Sequence, residues 1–465
     1  MKLAEIIKGI HKITIHGDTS CEISGITKDS RNVSEGSLFF ATSSSNTYVD
    51  DAYRRGARAI VTDREIDRPF PCIILVRDVL KALGQAASKF HGNPSRAMHV
   101  IGITGTNGKT TTTYLIESIL TCADKKPGVI GTISYRYGGK TFKASNTTPG
   151  ASETQALLKD MLDAGTTHVI MEVSSHALHQ ARVEGTDFDI AIFTNLTHDH
   201  LDYHGNFENY AASKRLLFED SLLRSKKRKK YAIMNIDDPS IREFVVGAPV
   251  TMLSYSARGF ADASISGYSE SIDGLTFTIN LPGKKIPISS PLIGMFNASN
   301  ILAATLSGHA LGLSHNVIKE GIEKLDGVPG RLERVPNDRG ISIFVDYAHT
   351  PDAIKNVLTL LGQLKKGKLI VVFGCGGNRD TAKRPIMGAF ASHLANQVIV
   401  TSDNPRHENP GAIIADIAKG LQGKQYRIID DRREAIYEAI RSASPQDVVL
   451  VAGKGHEDYQ IIGDT

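Results

Sequence analysis

The chain has 465 residues, and because single hydrophobic cores stop growing at roughly 250–300 residues, we expect two or three domains. Hydrophobic residues make up 41% and charged residues 22%, and the formal net charge of +4 argues against a large nucleic-acid or membrane-binding surface. The four scattered cysteines lack the spacing of a zinc site or disulfide framework. Charges near the N-terminus and the lack of a long apolar run predict a soluble, cytoplasmic protein.

Apolar runs alternate with helical segments in three regions along the chain, which we take as domains: 1–98, 99–329 and 330–465. The turn clusters Gly92-Asn93-Pro94-Ser95 and Gly327-Val328-Pro329-Gly330 mark the boundaries. The runs predict strands near residues 59–62, 72–76, 100–103, 169–171, 190–193, 343–345, 369–373, 398–400 and 448–451. Strands alternating with helices predict an α/β fold with mostly parallel sheets, covered on both faces and doubly wound in the last region.

A glycine-rich loop, Gly105-Thr106-Asn107-Gly108-Lys109-Thr110-Thr111, lies between a predicted strand and a predicted helix. In such a loop the backbone N–H groups and the helix N-terminus bind phosphate, Lys109 reaches the terminal phosphates, and the Thr110 hydroxyl can bind Mg²⁺. The loop departs from the strict GxxxxGK[ST] pattern at Ile103, and a chance turn is the alternative. Glu172 follows an apolar run and is a candidate to hold the metal.

Several motifs resemble those of the Mur ligases, which build the peptidoglycan stem peptide. They are Glu172-Val173-Ser174-Ser175-His176-Ala177-Leu178, Thr194-Asn195-Leu196-Thr197-His198-Asp199-His200-Leu201-Asp202-Tyr203-His204-Gly205, Tyr210-Ala211-Ala212-Ser213-Lys214, Gly294-Met295-Phe296-Asn297-Ala298-Ser299-Asn300, Gly330-Arg331-Leu332-Glu333, Asp346-Tyr347-Ala348-His349-Thr350-Pro351 and Gly453-Lys454-Gly455-His456-Glu457. The resemblance extends over essentially the whole chain, and within the family it is to members that add the third residue.

The resemblance implies three domains: a UDP-muramoyl-peptide-binding domain, a central ATP-binding domain with a P-loop, and a Rossmann-like C-terminal domain that binds the incoming amino acid. It implies a monomeric cytoplasmic ligase that uses ATP and Mg²⁺, forms an acyl phosphate and serves cell-wall synthesis, cell shape and division. Its substrates would be small molecules, with no nucleic acid or membrane as partner. Family members continue a little beyond the last motif, so we leave open whether the C-terminus is complete.

For catalysis, the resemblance assigns Lys109, Glu172, His200 and a carbamylated Lys214. Glu172 and His200 would hold metal together with Thr110 and the Lys214 carbamate, although neutral imidazole is an unusual ligand for Mg²⁺. From the residues alone, His200 could be structural and Lys214 an exposed lysine on a helix. A carbamate needs a neutral amine, and therefore burial or a nearby cation.

The resemblance also assigns substrate contacts. Asn297 and Asn300 would contact adenine, although one of them could instead cap a helix. Arg331, Asp346 and His349 would reach the nucleotide. Contacts to the UDP-muramoyl dipeptide would come from Ser30, Ser45, Asn46, Thr47, Asn146, Thr147, Thr148, Ser174, Gln180 and Arg182. The loop at 43–50 lacks the glycines common in the family, so the uridine contacts stay open.

Asp403-Asn404-Pro405-Arg406 follows the predicted strand at 398–400, at the carboxyl end where open α/β sheets bind ligands. By resemblance, this motif is typical of members that take meso-diaminopimelate, whereas lysine-adding members generally lack the arginine. Arg379, Gly453 and Glu457 would complete the site. The alternatives are the same reaction with L-lysine, a ligase like folylpolyglutamate synthetase, a P-loop kinase or NTPase, and an inactive binding module.

Overall fold

The computed structural model describes residues 1–42, 48–66, 69–421 and 426–464. The N-terminal sheet has five strands in the order β1-β5-β4-β3-β2, with β1 antiparallel to β5 and the others parallel. Its buried face packs against α3. The elements are α1 (Leu3–Ile6), β1 (Lys12–Gly17), β2 (Gly25–Thr27), β3 (Ser37–Ala41), α2 (Val49–Arg54), β4 (Ala59–Thr62), β5 (Cys72–Val76) and α3 (Val79–Phe90).

The central sheet has 11 strands in the order β16-β15-β14-β13-β12-β11-β6-β10-β7-β8-β9. The seven neighbouring strands β14-β13-β12-β11-β6-β10-β7 pair in parallel. At both ends of this group the sheet continues with antiparallel strands. Strand β6 is almost wholly buried because helices cover both faces, which explains its continuous apolar run. The first elements are β6 (His99–Thr104), α4 (Lys109–Cys122), β7 (Pro127–Ile130), β8 (Ser134–Tyr137), β9 (Lys140–Lys143), α5 (Ala151–Asp163), β10 (His168–Glu172), α6 (Ser175–His179) and β11 (Ile190–Phe193).

The second half of this region adds the antiparallel meander β14-β15-β16 and two helices that pack on α4. Its elements are α7 (Leu201–His204), α8 (Phe207–Leu216), β12 (Tyr231–Asn235), β13 (Thr251–Ser256), β14 (Ala263–Ser271), β15 (Gly274–Leu281), β16 (Lys284–Ser290), α9 (Met295–Ala310) and α10 (His315–Glu323). The carboxyl ends of β6, β10 and β11 meet at one edge of the sheet, which places the loops after them side by side.

The C-terminal sheet has six strands in the order β17-β18-β22-β19-β20-β21, parallel except for β17. Separate apolar clusters fill its two faces. Its elements are β17 (Glu333–Val335), β18 (Ser342–Asp346), α11 (Pro351–Leu364), β19 (Leu369–Phe373), α12 (Lys383–Leu394), β20 (Gln397–Val400), α13 (Pro410–Ala418), β21 (Tyr426–Ile428), α14 (Arg432–Ser442) and β22 (Val448–Ala452).

The N-terminal region docks on the central one through α3. A Cβ atom on Gly84 would lie 2.6 Å from the main-chain oxygen of Glu184, so the absence of a side chain permits this approach. Gln85 Nε2 donates to Glu184 Oε1 at 2.8 Å, and Ser88 Oγ donates to the Gly185 carbonyl at 2.8 Å. The two regions are therefore held by hydrogen bonds as well as by close packing.

The predicted α/β class with mostly parallel sheets is confirmed. All nine predicted strands are present, with ends that differ by at most one residue. The hairpin β8-β9 and the meander β14-β15-β16 were not predicted, because their mixed polar and apolar residues lack a continuous apolar run. Among the described residues, no helix is both long enough and apolar enough to cross a bilayer.

Candidate active site

The glycine-rich loop joins β6 to α4, as predicted. Gly105 and Gly108 have φ angles of +146° and +86°, in a region that disfavours other residues. A Cβ on Gly105 would lie 1.8 Å from Thr194 Oγ1, and one on Gly108 would lie 2.4 Å from Asn300 Oδ1. Both glycines are therefore required by backbone conformation and by space.

The end of β11 holds the loop in place. The main-chain N–H of Asn107 donates to Asn195 Oδ1 at 2.9 Å, and Thr194 Oγ1 donates to the Asn107 carbonyl at 2.6 Å. Thr106 Oγ1 shares a hydrogen bond of 2.9 Å with Tyr210 OH. Of these partners, sequence reasoning had passed over Thr194, Asn195 and Tyr210, although all three lie within the family-like stretches.

Two lysine side chains meet at one carbonyl of this loop. Lys109 Nζ donates to the carbonyls of Gly105 and Thr106 at 2.7 and 2.9 Å, and Lys214 Nζ donates to the same Gly105 carbonyl at 2.7 Å. Lys214 is only 2% exposed, so the alternative of an exposed helical lysine is wrong. Burial, and after it the charge of Lys109, hold the pKa of Lys214 well below its usual range, which favours the neutral amine.

Glu172 ends β10 and is buried beside the loop. Its Oε2 accepts hydrogen bonds from Thr110 Oγ1 at 2.9 Å and from Thr132 Oγ1 at 2.8 Å, and its Oε1 accepts the Thr132 N–H at 3.1 Å. Hard cations such as Mg²⁺ prefer oxygen ligands of this kind, so the donor set fits a magnesium ion. Thr132 was missed because one threonine after a short strand carries no distinctive pattern.

His200 begins the short helix α7 with a left-handed φ of +53°. Its Nε2 lies 3.5 Å from Asp199 Oδ2, and its ring centroid lies 4.9 Å from that of His176. Burial lowers the pKa of His200 to about 4, so the imidazole is neutral near pH 7 and can act as a ligand. Among the described residues, no group of three or more His, Cys, Asp or Glu side chains is arranged to hold a metal ion.

Asn297 and Asn300 lie on α9 against the glycine-rich loop. Asn300 Nδ2 donates to Asn297 Oδ1 at 3.0 Å, and Asn300 Oδ1 accepts from Thr112 Oγ1 at 3.4 Å. Asn297 Nδ2 donates to the Ile293 carbonyl at 2.8 Å. Gly294 occupies the N-cap position, so neither asparagine caps the helix.

Arg331 reaches the phosphate loop from the start of the C-terminal region. Its Nη2 donates to Thr110 Oγ1 at 3.3 Å, and its guanidinium lies over the Tyr347 ring at 4.6 Å. Its Nε is buried with no hydrogen-bond partner among the residues that the structure describes. Thr110, Glu172 and Arg331 are thus brought together from separate elements.

Asp346 ends β18, and its carboxylate is occupied by main-chain groups. It accepts the Leu332 N–H at 2.7 Å and the Ala348 N–H at 2.8 Å, and burial raises its pKa. Asp346 therefore fixes the segment that carries Arg331. His349 follows, with Nδ1 2.7 Å from the Tyr347 carbonyl.

The candidate dipeptide-binding residues adjoin Glu172. Thr148 Oγ1 donates to the Glu172 carbonyl at 2.8 Å, and Thr147 Oγ1 shares a hydrogen bond of 3.1 Å with Thr132 Oγ1. Arg182 donates to the Thr148 carbonyl at 3.0 Å and to Gln180 Oε1 at 2.6 and 2.9 Å.

Two more candidates have structural roles nearby. Ser174 caps α6 by accepting the Ala177 N–H at 3.2 Å, and the Asn146 carbonyl accepts from Tyr135 OH at 2.6 Å.

Ser30 lies apart from these residues, in the N-terminal region. It lines a cavity of about 430 Å³ with Lys28, Asp29, Arg31 and Tyr48. The predicted contacts at Ser45, Asn46 and Thr47 lie outside the described residues.

The Asp403–Arg406 segment follows β20, beside the ends of β19 and β22. Asn404 Oδ1 accepts from Lys454 Nζ at 2.8 Å, and Asn404 Nδ2 donates to Glu457 Oε2 at 3.1 Å. Lys454 Nζ also lies 3.1 Å from Glu457 Oε2. Sequence reasoning did not single out Lys454, although it lies within a motif.

Gly453 and Asp403 are also adjacent. A Cβ on Gly453, whose φ is +112°, would lie 3.0 Å from Asp403 Oδ2. That oxygen lies 3.9 Å from Arg432 Nη1.

Arg406 has a left-handed φ of +51°, and its Nη1 donates to the Gly377 carbonyl at 2.9 Å. Its N–H donates to the Ile461 carbonyl at 3.0 Å, and its carbonyl accepts the Gly463 N–H at 2.9 Å. Arg379 is exposed on the adjoining loop. The structure therefore brings the predicted amino-acid-binding residues to one edge of the C-terminal sheet.

Two family profiles match the chain: the Mur ligase middle domain over residues 103–308, and the Mur ligase, glutamate ligase domain over residues 330–455. The chain is 44% identical to the UDP-N-acetylmuramoyl-L-alanyl-D-glutamate–2,6-diaminopimelate ligase of Geobacter metallireducens, with 100% of this chain and 95% of the relative covered.

Two solved structures are also similar to this chain. One of a UDP-N-acetylmuramoyl-L-alanyl-D-glutamate–2,6-diaminopimelate ligase is 34% identical with a TM-score of 0.73, covering 100% of this chain and 96% of the other. A Mycobacterium tuberculosis folylpolyglutamate synthase complexed with ADP and AMPPCP shares the fold, at 19% identity and a TM-score of 0.66, covering 80% of this chain and 91% of the other. On these matches, the chain belongs to the Mur ligase family.

Proposed function

We propose that the chain joins meso-2,6-diaminopimelate to the D-Glu side-chain carboxylate of UDP-N-acetylmuramoyl-L-Ala-D-Glu and converts ATP to ADP and phosphate. The observation that carries the proposal is the contact of 3.3 Å between Arg331 Nη2 and Thr110 Oγ1. It sets the sheet that would bind the amine against the loop that would bind the phosphates. A ligase needs this arrangement, because the nucleotide, carboxylate and amine must be positioned together.

The chemistry would proceed in two steps. The D-Glu carboxylate oxygen attacks the γ-phosphorus and ADP leaves, which gives an acyl phosphate. The amine nitrogen then attacks the acyl carbon, phosphate leaves, and the nitrogen loses a proton. Lys109 would turn from the Gly105 and Thr106 carbonyls to the phosphates and stabilise the charge on the transferring group.

Magnesium fits the oxygen atoms of Thr110 and Glu172, with His200 and a carbamate on Lys214 as further ligands. When bound, the ion would neutralise charge on the phosphates. The burial of Lys214 and its lowered pKa support carbamylation, since only the neutral amine reacts with CO₂. Arg331 and the pair Asn297–Asn300 would hold the nucleotide, with Asp346 fixing the Arg331 segment.

Three domains, with boundaries near residues 98 and 329, would each bind a different part of the substrates. Ser30 would face the UDP end of the nucleotide-linked dipeptide. Thr147, Thr148, Ser174, Gln180 and Arg182, with Asn146, would hold its sugar and peptide. The loop that contains Arg406, with Arg379, Asp403, Asn404, Gly453 and Glu457, would hold diaminopimelate. We further propose a cytoplasmic monomer that acts in peptidoglycan synthesis.

The substrate assignment depends on Arg406. Diaminopimelate is lysine with a second carboxylate on its far carbon, and a guanidinium can bind a carboxylate through two parallel N–H···O bonds. L-Lysine has no group there for Arg406 to bind. The likeness to folylpolyglutamate synthase, at 19% identity, supports a common fold and not a common substrate.

Phosphate release and product mass test the proposal together. The purified protein is incubated with ATP and Mg²⁺, with or without the UDP-muramoyl dipeptide, and with meso-diaminopimelate or L-lysine. We expect phosphate release that needs both the dipeptide and diaminopimelate, and a product with the mass of the tripeptide. A lysine product alone would overturn the substrate, and phosphate release without the dipeptide would overturn the ligase.

A further inference from the structure

Arg384, in the first turn of α12, is the largest fully buried side chain among the described residues. Its Nη1 lies 3.0 Å from Asp416 Oδ2, and its Nη2 lies 3.0 and 2.9 Å from the two oxygens of Glu408. Removing a guanidinium from water is costly, and well-packed apolar side chains often stabilise such a position equally well.

Arg384 and Glu408 together connect two loops. Arg384 Nη2 also donates to the Gly376 carbonyl at 3.4 Å. Glu408 Oε1, which is bound to Arg384, accepts the main-chain N–H of Asn378. The ion pair between the buried Arg384 and the partly exposed Glu408 thus holds the loop at 376–379 to the segment at 403–408.

The same two segments are joined by further hydrogen bonds. The Gly377 N–H donates to the Asn404 carbonyl at 2.9 Å, and the His407 N–H donates to Asn378 Oδ1 at 3.1 Å. A Cβ on Gly377 would lie 1.9 Å from the Pro405 carbonyl oxygen, so the segments are in close contact. This leaves little room for them to shift independently.

Each segment carries one arginine of the proposed amino-acid site. Arg379 follows Asn378, whose φ is +51°, and Arg406 itself has a φ of +51°. A left-handed conformation costs free energy in an arginine and persists only where the surroundings hold it, whereas asparagine tolerates it better. The hydrogen bonds of Glu408 to Asn378 and Arg384 help to hold the two segments together in this arrangement.

We propose that Arg384 and Glu408 are positioning residues that set the spacing of Arg379 and Arg406, and thereby select an amino acid with a second carboxylate on its far carbon. This inference rests on the proposed function. Neither residue touches the substrate in this scheme. They act through the two arginines, and a shift of about 1 Å in such groups can cost on the order of a hundredfold in rate.

Glu408→Gln and Asp416→Asn form a matched pair of variants. Each replaces one carboxylate bound to Arg384, but only Glu408 also binds the loop at Asn378. For Glu408→Gln we expect KM for meso-diaminopimelate to rise by at least about tenfold and discrimination against L-lysine to fall, with KM for ATP and for the UDP-muramoyl dipeptide unchanged. For Asp416→Asn we expect an unchanged KM for diaminopimelate, even if its melting temperature falls.

Glu408→Asp is the second variant, in case Glu408→Gln fails to fold. It keeps the charge and should restore part of the affinity for diaminopimelate. Equal rises in KM for Glu408→Gln and Asp416→Asn, or an unchanged KM and lysine discrimination in both Glu408 variants, would overturn the inference. If the wild-type protein makes no diaminopimelate product, the proposed function fails. If it does and the Glu408 variants match it, only the positioning role fails.

Discussion

Replacing Arg406 with alanine tests the proposed amino-acid substrate directly. The main-chain hydrogen bonds of Arg406 to Ile461 and Gly463 do not involve its side chain, so alanine keeps them. The substitution therefore removes the guanidinium and leaves the backbone pairing of the loop intact. In the structure one nitrogen of this guanidinium donates to the Gly377 carbonyl at 2.9 Å, which leaves its other N–H groups available for a carboxylate.

The size of the effect follows from partial burial. Arg406 is half-buried, so we take the lower part of the range for truncating one partner of a charged pair, about 2–3 kcal/mol. Because 1.4 kcal/mol is a factor of ten, kcat/KM for meso-diaminopimelate should fall by roughly thirtyfold to 150-fold. The loss should appear mainly in KM for the amino acid, with KM for ATP little changed.

Initial rates of phosphate release with each amine, at saturating ATP and dipeptide, measure this loss. Arg406→Lys is the control, because it keeps the charge but loses the two parallel hydrogen bonds, and it should fall between alanine and wild type. An unaltered preference for diaminopimelate in Arg406→Ala would refute the reasoning. So would equal use of L-lysine by the wild type, although the ligase assignment would then still stand.

Three further predictions concern catalysis and pH. Lys109→Ala should lower ligation by at least on the order of a hundredfold while the melting temperature stays near that of the wild type, and near-normal turnover would remove the loop from the mechanism. Carbon-13 NMR should detect a carbamate on Lys214, and Lys214→Ala should lose activity that short carboxylates partly restore; a fully active variant would exclude this role. The Asn378 N–H and then Arg384 lower the pKa of Glu408. The stability that ionised Glu408 contributes is therefore present above its pKa in the unfolded chain, and it is lost as the pH falls through its pKa in the folded protein. Between about pH 5 and about pH 3, the unfolding free energy of Glu408→Gln should therefore change less than that of the wild type. Parallel curves from denaturant titrations would contradict this.

Local sequence patterns predicted the parts of the structure that depend on neighbouring residues. Continuous apolar runs indicated the buried parallel strands, because a strand covered on both faces needs apolar residues at every position. The loop from Gly105 to Thr110 was predicted because strand, glycines and helix follow one another directly. The hairpin β8-β9 escaped prediction, since β9 is exposed and carries no apolar run.

Family motifs identified more of the candidate site than local patterns did, but a motif names residues without showing what their side chains contact. Thr132 binds both oxygens of Glu172 and was missed. Arg384 and Glu408 were also passed over, because an ion pair between a helix and a loop leaves no periodic signal.

The sequence by itself determined the fold class, the phosphate-binding loop and the family. Only the tertiary structure decided the environment of each functional side chain. Lys214 shows the difference. In the sequence it is an ordinary lysine on a predicted helix, whereas in the structure it is buried and donates to the carbonyl of Gly105, 109 positions away in the chain. Burial and charge depend on what surrounds a group in space, and for Lys214 those surroundings come from residues distant in sequence.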